Sequence, residues 1–227
     1  MRLTNHILNN ILKGLKYMKQ MKVRITLQEE MLGMSPSDPE IYRKYIAENS
    51  PDALTIEEEV AAVGVEEVLD KCKTVFPRDN DGNPIMWNYQ WKGFFKDACG
   101  MLSRVAGKDK DGKKLKNANE SCKLTAYKKV IDGLIFVFPR KIPIIFDGEI
   151  GSCQRPLRAQ TAQGERIALA NSETIPAGAT MELTIKMLSD DHEKVVREWL
   201  DYGELRGLGQ WRNSGKGIFT YEILEIS

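Results

Sequence analysis

Gly207-Leu208-Gly209-Gln210-Trp211-Arg212-Asn213-Ser214-Gly215-Lys216-Gly217-Ile218-Phe219 separates a segment with the apolar spacing of a helix from one with the alternation of a strand. Four glycines bracket a tryptophan, an arginine and a lysine, and glycine lets a backbone amide be approached closely. Gly207, Gly209, Gln210, Arg212, Asn213, Ser214, Gly215, Lys216 and Gly217 therefore form a candidate phosphate cradle. The competing reading is architectural: Gly207 and Gly209 end the helix and carry the chain tightly over a sheet, while Trp211 fills the core.

Working outward, Ser189-Asp190-Asp191-His192 opens the preceding helix, in which Val195 or Val196 and Trp199 or Leu200 point inward as far as about residue 202. Phe219, Tyr221 and Ile223 alternate on the strand that follows. Before the helix, Met181, Leu183, Ile185 and Met187 alternate with Glu182, Thr184 and Lys186, the pattern of a half-buried strand. The same alternation of Val23, Ile25 and Leu27 predicts a strand over 22–29. Trp91, Phe94 or Phe95, Ala98, Met101 or Leu102 and Val105 recur at helical spacing over 89–105, and those aromatics read as core. Leu134-Ile135-Phe136-Val137-Phe138 is a third strand, bounded by Pro139 and Pro143. The order is βαββαβ, an α+β, ferredoxin-like (RRM-like) core with both helices on one face of a four-stranded antiparallel sheet.

The remaining segments read as insertions between these elements. One follows the first strand over 35–88 and is helical plus a hairpin. Within it Ser37-Asp38-Pro39-Glu40 and Thr55-Ile56-Glu57-Glu58 are capping boxes, and Asp79-Asn80-Asp81-Gly82-Asn83 is a hairpin turn without the spacing of a calcium loop. Residues 107–123 form a basic loop in which Lys113, Lys114 and Lys116 are candidate phosphate contacts; a solvated loop held open by charge is the equal alternative. A short helix is expected over 124–131. Residues 147–178 read as a β-hairpin arm between the second and third core strands, with Arg155 and Arg158 placed to touch phosphates or bases, or to pair with the acidic helix near residues 56–70. Residues 1–20 are basic and amphipathic, with Ile7, Leu8, Ile11, Leu12 and Leu15 at helical spacing, and are expected to be a disordered or loosely docked extension of a single domain over 21–227.

A net charge of +1 hides an uneven distribution: residues 45–70 hold eight acids and no Lys or Arg, whereas 104–129 hold nine Lys or Arg against three acids. A basic face is therefore compatible with a near-neutral total. Cys72, Cys99, Cys122 and Cys153 stand far apart beside only two histidines, so no metal site and no cofactor is expected and reduced thiols in a cytoplasmic protein are the natural reading. No apolar run is long enough to span a bilayer, and no membrane partner is expected.

A βαββαβ domain whose second helix runs through G-x-G-x-x-x-x-x-G-x-G into the last strand resembles the RAMP superfamily of CRISPR-associated proteins, which includes crRNA-processing endoribonucleases and crRNA-binding backbone subunits. The matching residues are Gly207, Gly209, Gly215 and Gly217, with Gln210-Trp211-Arg212 between them. The chain also resembles a group of phage and prophage proteins that share this run and segments like Ile135-Phe136-Val137-Phe138-Pro139-Arg140 and Cys153-Gln154-Arg155-Pro156-Leu157-Arg158. The resemblance implies a partner that is RNA or single-stranded DNA. It also suggests a viral setting in which the protein engages a host defence complex as a CRISPR-subunit mimic or anti-defence factor, or assembles with copies of itself. The processing enzymes employ a histidine-centred, metal-independent site; this chain offers His6 and His192. His6 lies in the extension, and His192, in the first turn of a helix, reads as a capping or surface residue, so no catalytic residue is assigned and a non-catalytic binding protein is expected ahead of an endoribonuclease.

Overall fold

The computed structural model describes residues 18–36, 73–105, 110–112, 118–161 and 164–227, with side chains described for all of these except 73 and 157–169. In chain order its elements are β1 (Lys19–Leu27), β2 (Met31–Leu32), β3 (Ser35–Pro36), β4 (Lys73–Val75), β5 (Ile85–Trp87), α1 (Asn88–Leu102), α2 (Glu120–Lys123), α3 (Tyr127–Leu134), β6 (Ile135–Phe138), β7 (Lys141–Pro143), β8 (Gly151–Thr161), β9 (Gly164–Ile175), β10 (Thr180–Met187), α4 (His192–Arg206) and β11 (Phe219–Ile226).

Four strands make the central sheet in the order β11-β1-β10-β6, every neighbouring pair antiparallel. With α1 after β1 and α4 after β10, this is the ferredoxin-like arrangement that the βαββαβ order predicts. Period-two alternation sets the register: Met21, Val23, Ile25 and Leu27 of β1 are buried while Lys22 and Arg24 are exposed. Val23 lies opposite Leu183 and Ile25 opposite Met181 on one side, and Leu27 opposite Phe219 on the other. The buried face receives α1 and α4. Trp91 meets Phe219 edge-on at 5.8 Å, and Phe95 lies 5.4 Å from Trp199. Burying aromatic side chains of this size stabilises the fold by about 2–3 kcal/mol each.

Some bounds differ from those read in the sequence, for local reasons. β1 starts at Lys19, because Lys19 and Gln20 already pair with Met187 and Lys186, and it stops at Leu27, where Gln28 N turns to donate to Ile218 O at 2.7 Å. The short helix expected over 124–131 runs over 127–134 as α3, and residues 120–123, read as the end of the basic loop, form the single turn α2. Asn119 Oδ1 caps α2 by accepting from Cys122 N at 2.8 Å, and Ala126, at a left-handed φ of 51°, breaks the chain before α3. Ser121 fixes α2 to α4: its amide and hydroxyl both donate to Glu198 Oε2 (2.8 and 2.7 Å), and its oxygen accepts from Trp199 Nε1 at 3.0 Å.

The hairpin β8–β9 lies outside the central sheet, as read, but its base belongs to a second sheet. β9 pairs with β8 along its length and, on its other edge near its C-terminal end, with β4 in parallel and β2 antiparallel. Arg78 and Pro84 bridge around the turn at Asp79, whose carboxylate accepts from Asp81 N and Asn83 N; these backbone bonds hold its pKa below the ordinary aspartate value. The Asp-rich stretch is thus a turn. The capping boxes at 37–40 and 55–58, the acidic helix, and residues 1–17 lie outside the described residues.

Candidate nucleic-acid interface

The glycine loop closes on itself. Gly207, at φ 74°, ends α4 and donates to Gly203 O at 2.9 Å, and Leu208 N then donates to Gly217 O at 2.8 Å, so the loop's two ends lie back to back. The fit is tight: a Cβ on Gly207 would stand 2.5 Å from Lys216 O, and one on Gly217 would collide with Leu208 O. Gly217 N donates to Glu30 O at 2.8 Å, and a Cβ on Gly209 would meet Leu32 O at 2.7 Å, so the loop is also seated on Glu30, between β1 and β2, and on β2 itself. Close approach at Gly207, Gly209 and Gly217 is therefore to the protein's own backbone. At Gly215 the nearest atom to such a Cβ is Ile218 Cδ1 at 3.8 Å, an ordinary van der Waals contact.

Between these staples the chain bulges outward. Arg212–Ser214 make one 3-10 turn, held where Trp211 O accepts from Ser214 N (3.0 Å) and Ser214 Oγ (2.9 Å). Among the described residues, the amides of 209–213 and of Lys216 donate to no backbone carbonyl. Trp211 does not fill the core; it is 44% exposed.

Cations surround this bulge in two settings. Arg155, projecting from β8 and only 6% exposed, donates through Nη1 to Ser172 Oγ at 2.9 Å and through Nη2 to Gln210 Oε1 at 2.6 Å, with its guanidinium 5.6 Å from the Trp211 ring. It thereby joins the hairpin to the glycine loop, and among the described residues no carboxylate pairs with it. The other cations are half-buried and paired. Arg212 Nη1 and Arg206 Nε converge on one oxygen, Asp97 Oδ2, at 2.8 and 3.4 Å, while Arg206 Nη1 donates to Asn213 Oδ1 at 2.6 Å. Lys216 Nζ meets Glu30 Oε1 at 2.5 Å, and that bond raises the lysine pKa.

Of the residues singled out in the sequence, the structure brings Arg155 together with the loop residues 207, 209, 210 and 212–217. Arg158 lies farther along β8 opposite Ile167, its side chain outside the described set, as are Lys113, Lys114 and Lys116. Arg206, Asp97 and Glu30 join the cluster unannounced. Arg206 directly precedes Gly207, so its place as the last-turn cation of α4 is the sequence signal for it; Asp97 stands 115 residues before Arg212, and only the packing of α1 against α4 brings it in.

His192 lies elsewhere. It opens α4 while the glycine loop follows that helix, so a 15-residue helix of about 22 Å separates them. It is buried, its Nδ1 has no hydrogen-bond partner, and burial depresses its pKa, against a weaker raising effect from Asp191. No group of His, Cys, Asp and Glu among the described residues is arranged to hold a metal ion, and no helix among them is long and apolar enough to cross a membrane.

No family model matches this sequence, and no curated protein matches it. Among solved structures, the chain is similar to a chain of the Type III-B Cmr-beta bound to cognate target RNA, at 13% identity and a TM-score of 0.46. The match covers 100% of this chain and spans 65% of the other. The ferredoxin-like core is read from the strand order β11-β1-β10-β6 itself.

Proposed function

We propose that this chain is a non-catalytic nucleic-acid-binding protein that takes the phosphates of RNA or single-stranded DNA at the glycine loop. The observation that carries the reading is Arg155: a buried guanidinium whose described partners are a hydroxyl, an amide oxygen and an indole ring, none of them an anion. A buried charge left without a counter-charge costs several kcal/mol. A phosphate seated against the amides of 209–213 supplies negative charge beside it. Arg212 and Lys216 add contacts by exchanging Asp97 and Glu30 for phosphate oxygens, and such contacts give salt-dependent affinity. Arg158 and the lysines at 113, 114 and 116 are further contacts in this proposal. The resemblance of the sequence to RAMP proteins and to the phage and prophage group extends it to a phage or mobile-element setting.

The test is binding of labelled single-stranded RNA and DNA at low and raised salt. The proposal expects affinity to fall steeply with salt and to weaken in the Arg212→Ala, Lys216→Ala double variant. Absence of binding to either at low salt overturns it.

A protein-interaction role is the second reading. Phe138 and Ile145 are exposed and lie opposite Thr184 and Thr180 of β10, on the sheet face turned away from α1 and α4. They offer two apolar contact points, with the ion-paired Glu182 between their β10 partners on the same face, to a defence-complex subunit or a second copy. Pull-down with and without nuclease separates the two readings, because a protein-only partner survives nuclease. An endoribonuclease reading would route through His192, whose distance from the loop gives it no share in this site.

A further inference from the structure

We infer that Trp211 is a stacking platform for a nucleobase, which makes the loop a reader of single strands rather than duplexes; this rests on the phosphate-binding reading above. Trp211 has φ 55° and ψ 33°, the left-handed region. For a residue with a Cβ this conformation costs about 1–2 kcal/mol, and glycine, used at four other places in the same loop, would adopt it freely. The strained position nevertheless holds the largest side chain available, and holds it outward. Trp87, Trp91 and Trp199 are wholly buried, whereas Trp211 is 44% exposed.

The ring is held in place. Its carbonyl is pinned by both donors of Ser214, and the Arg155 guanidinium lies 5.6 Å from the ring centroid while itself fixed by Ser172 and Gln210. An exposed aromatic ring held from below by a cation loses little freedom when a flat partner stacks on it. The amides of 209–213, on either side of Trp211 in the chain, donate to no backbone carbonyl among the described residues. A π-surface beside donors for an anion matches one nucleotide, base on the indole and phosphate on the backbone. Only an unpaired nucleotide presents both, because a duplex buries its base faces in its own stack.

Trp211 is the chain's one exposed tryptophan, so its emission reports on the site in the unaltered protein. Oligouridylate, oligothymidylate, an abasic phosphodiester of equal length and a duplex would each be titrated, following tryptophan quenching and fluorescence anisotropy. The inference expects the two base-bearing strands to quench emission and to bind roughly ten- to hundred-fold more tightly than the abasic strand. Trp211→Ala should bring both down to the abasic level, and Trp211→Phe should retain part of the difference. Equal binding of base-bearing and abasic strands by the wild type, or preference for the duplex, overturns stacking while leaving phosphate binding standing. Failure of every nucleic acid to bind at low salt overturns both.

Discussion

Replacing Gly217 and Gly215 singly by alanine separates what the loop's glycines do for the fold from what they leave open to a ligand. Both have positive φ, 72° and 84°, so alanine at either costs about 1–2 kcal/mol of backbone strain. At Gly215 that is the whole cost, because the new methyl would stand 3.8 Å from Ile218 Cδ1. At Gly217 the methyl would collide with Leu208 O, a backbone atom fixed by the bond from Leu208 N to Gly217 O, so about 1–3 kcal/mol of overpacking is added. Mid-range values give roughly 1.5 kcal/mol for Gly215→Ala and 3.5 kcal/mol for Gly217→Ala. For a chain of this size each kcal/mol lowers Tm by about 2–4 °C, hence losses of about 4 °C and 10 °C. Urea unfolding followed by circular dichroism checks the order and shows whether the slope with denaturant is unchanged. Equal losses in the two variants would refute the closed-loop geometry.

Two further outcomes follow from buried titratable groups. Burial holds His192 below its ordinary value near 6.5, so its contribution is complete above about pH 6.5, where folded and unfolded imidazoles are both neutral. As pH falls below that value the unfolded chain takes the proton first and stability is lost down through the folded-state pKa. The urea midpoint of wild type should therefore drop more steeply from about pH 7 to about pH 5 than that of His192→Gln; parallel curves would contradict the burial. Burial also pushes the Cys99 thiol up to about 11. Iodoacetamide at neutral pH should reach the half-buried Cys122 and Cys153 in the folded protein and Cys99 only on unfolding; equal labelling, read by peptide mass, would contradict the core packing of α1.

The core was legible because its signals are local and repeated. β1 and β10 announce themselves by strict alternation, and α1 by Trp91, Phe95 and Ala98 at helical spacing, all buried as read. Element ends were less legible because they depend on partners remote in sequence: β1 begins at Lys19 owing to Met187, and Ala126 interrupts a helical pattern by adopting a conformation that no residue nearby advertises. At the loop, the glycines signalled close approach correctly but not what approaches. Gly207 and Gly217 face each other's neighbours because the chain crosses itself there, a fact of tertiary structure. Arg155 reads from sequence only as an arginine on a hairpin arm; its burial follows from the hairpin base joining β2 and β4, which places Ser172 within hydrogen-bond reach of it. Trp211, read as a core residue in the architectural alternative, is instead 44% exposed, because the loop closes beneath it and turns it outward.

The proposal that the loop takes phosphate is tested most directly by two-dimensional amide NMR of the whole protein titrated with a short single-stranded oligonucleotide. Saturable shifts should concentrate on the amides of residues 209–213 and the Trp211 indole N–H, and should shrink as salt rises. Shifts confined to other surfaces, or none at these amides at low salt, would contradict it.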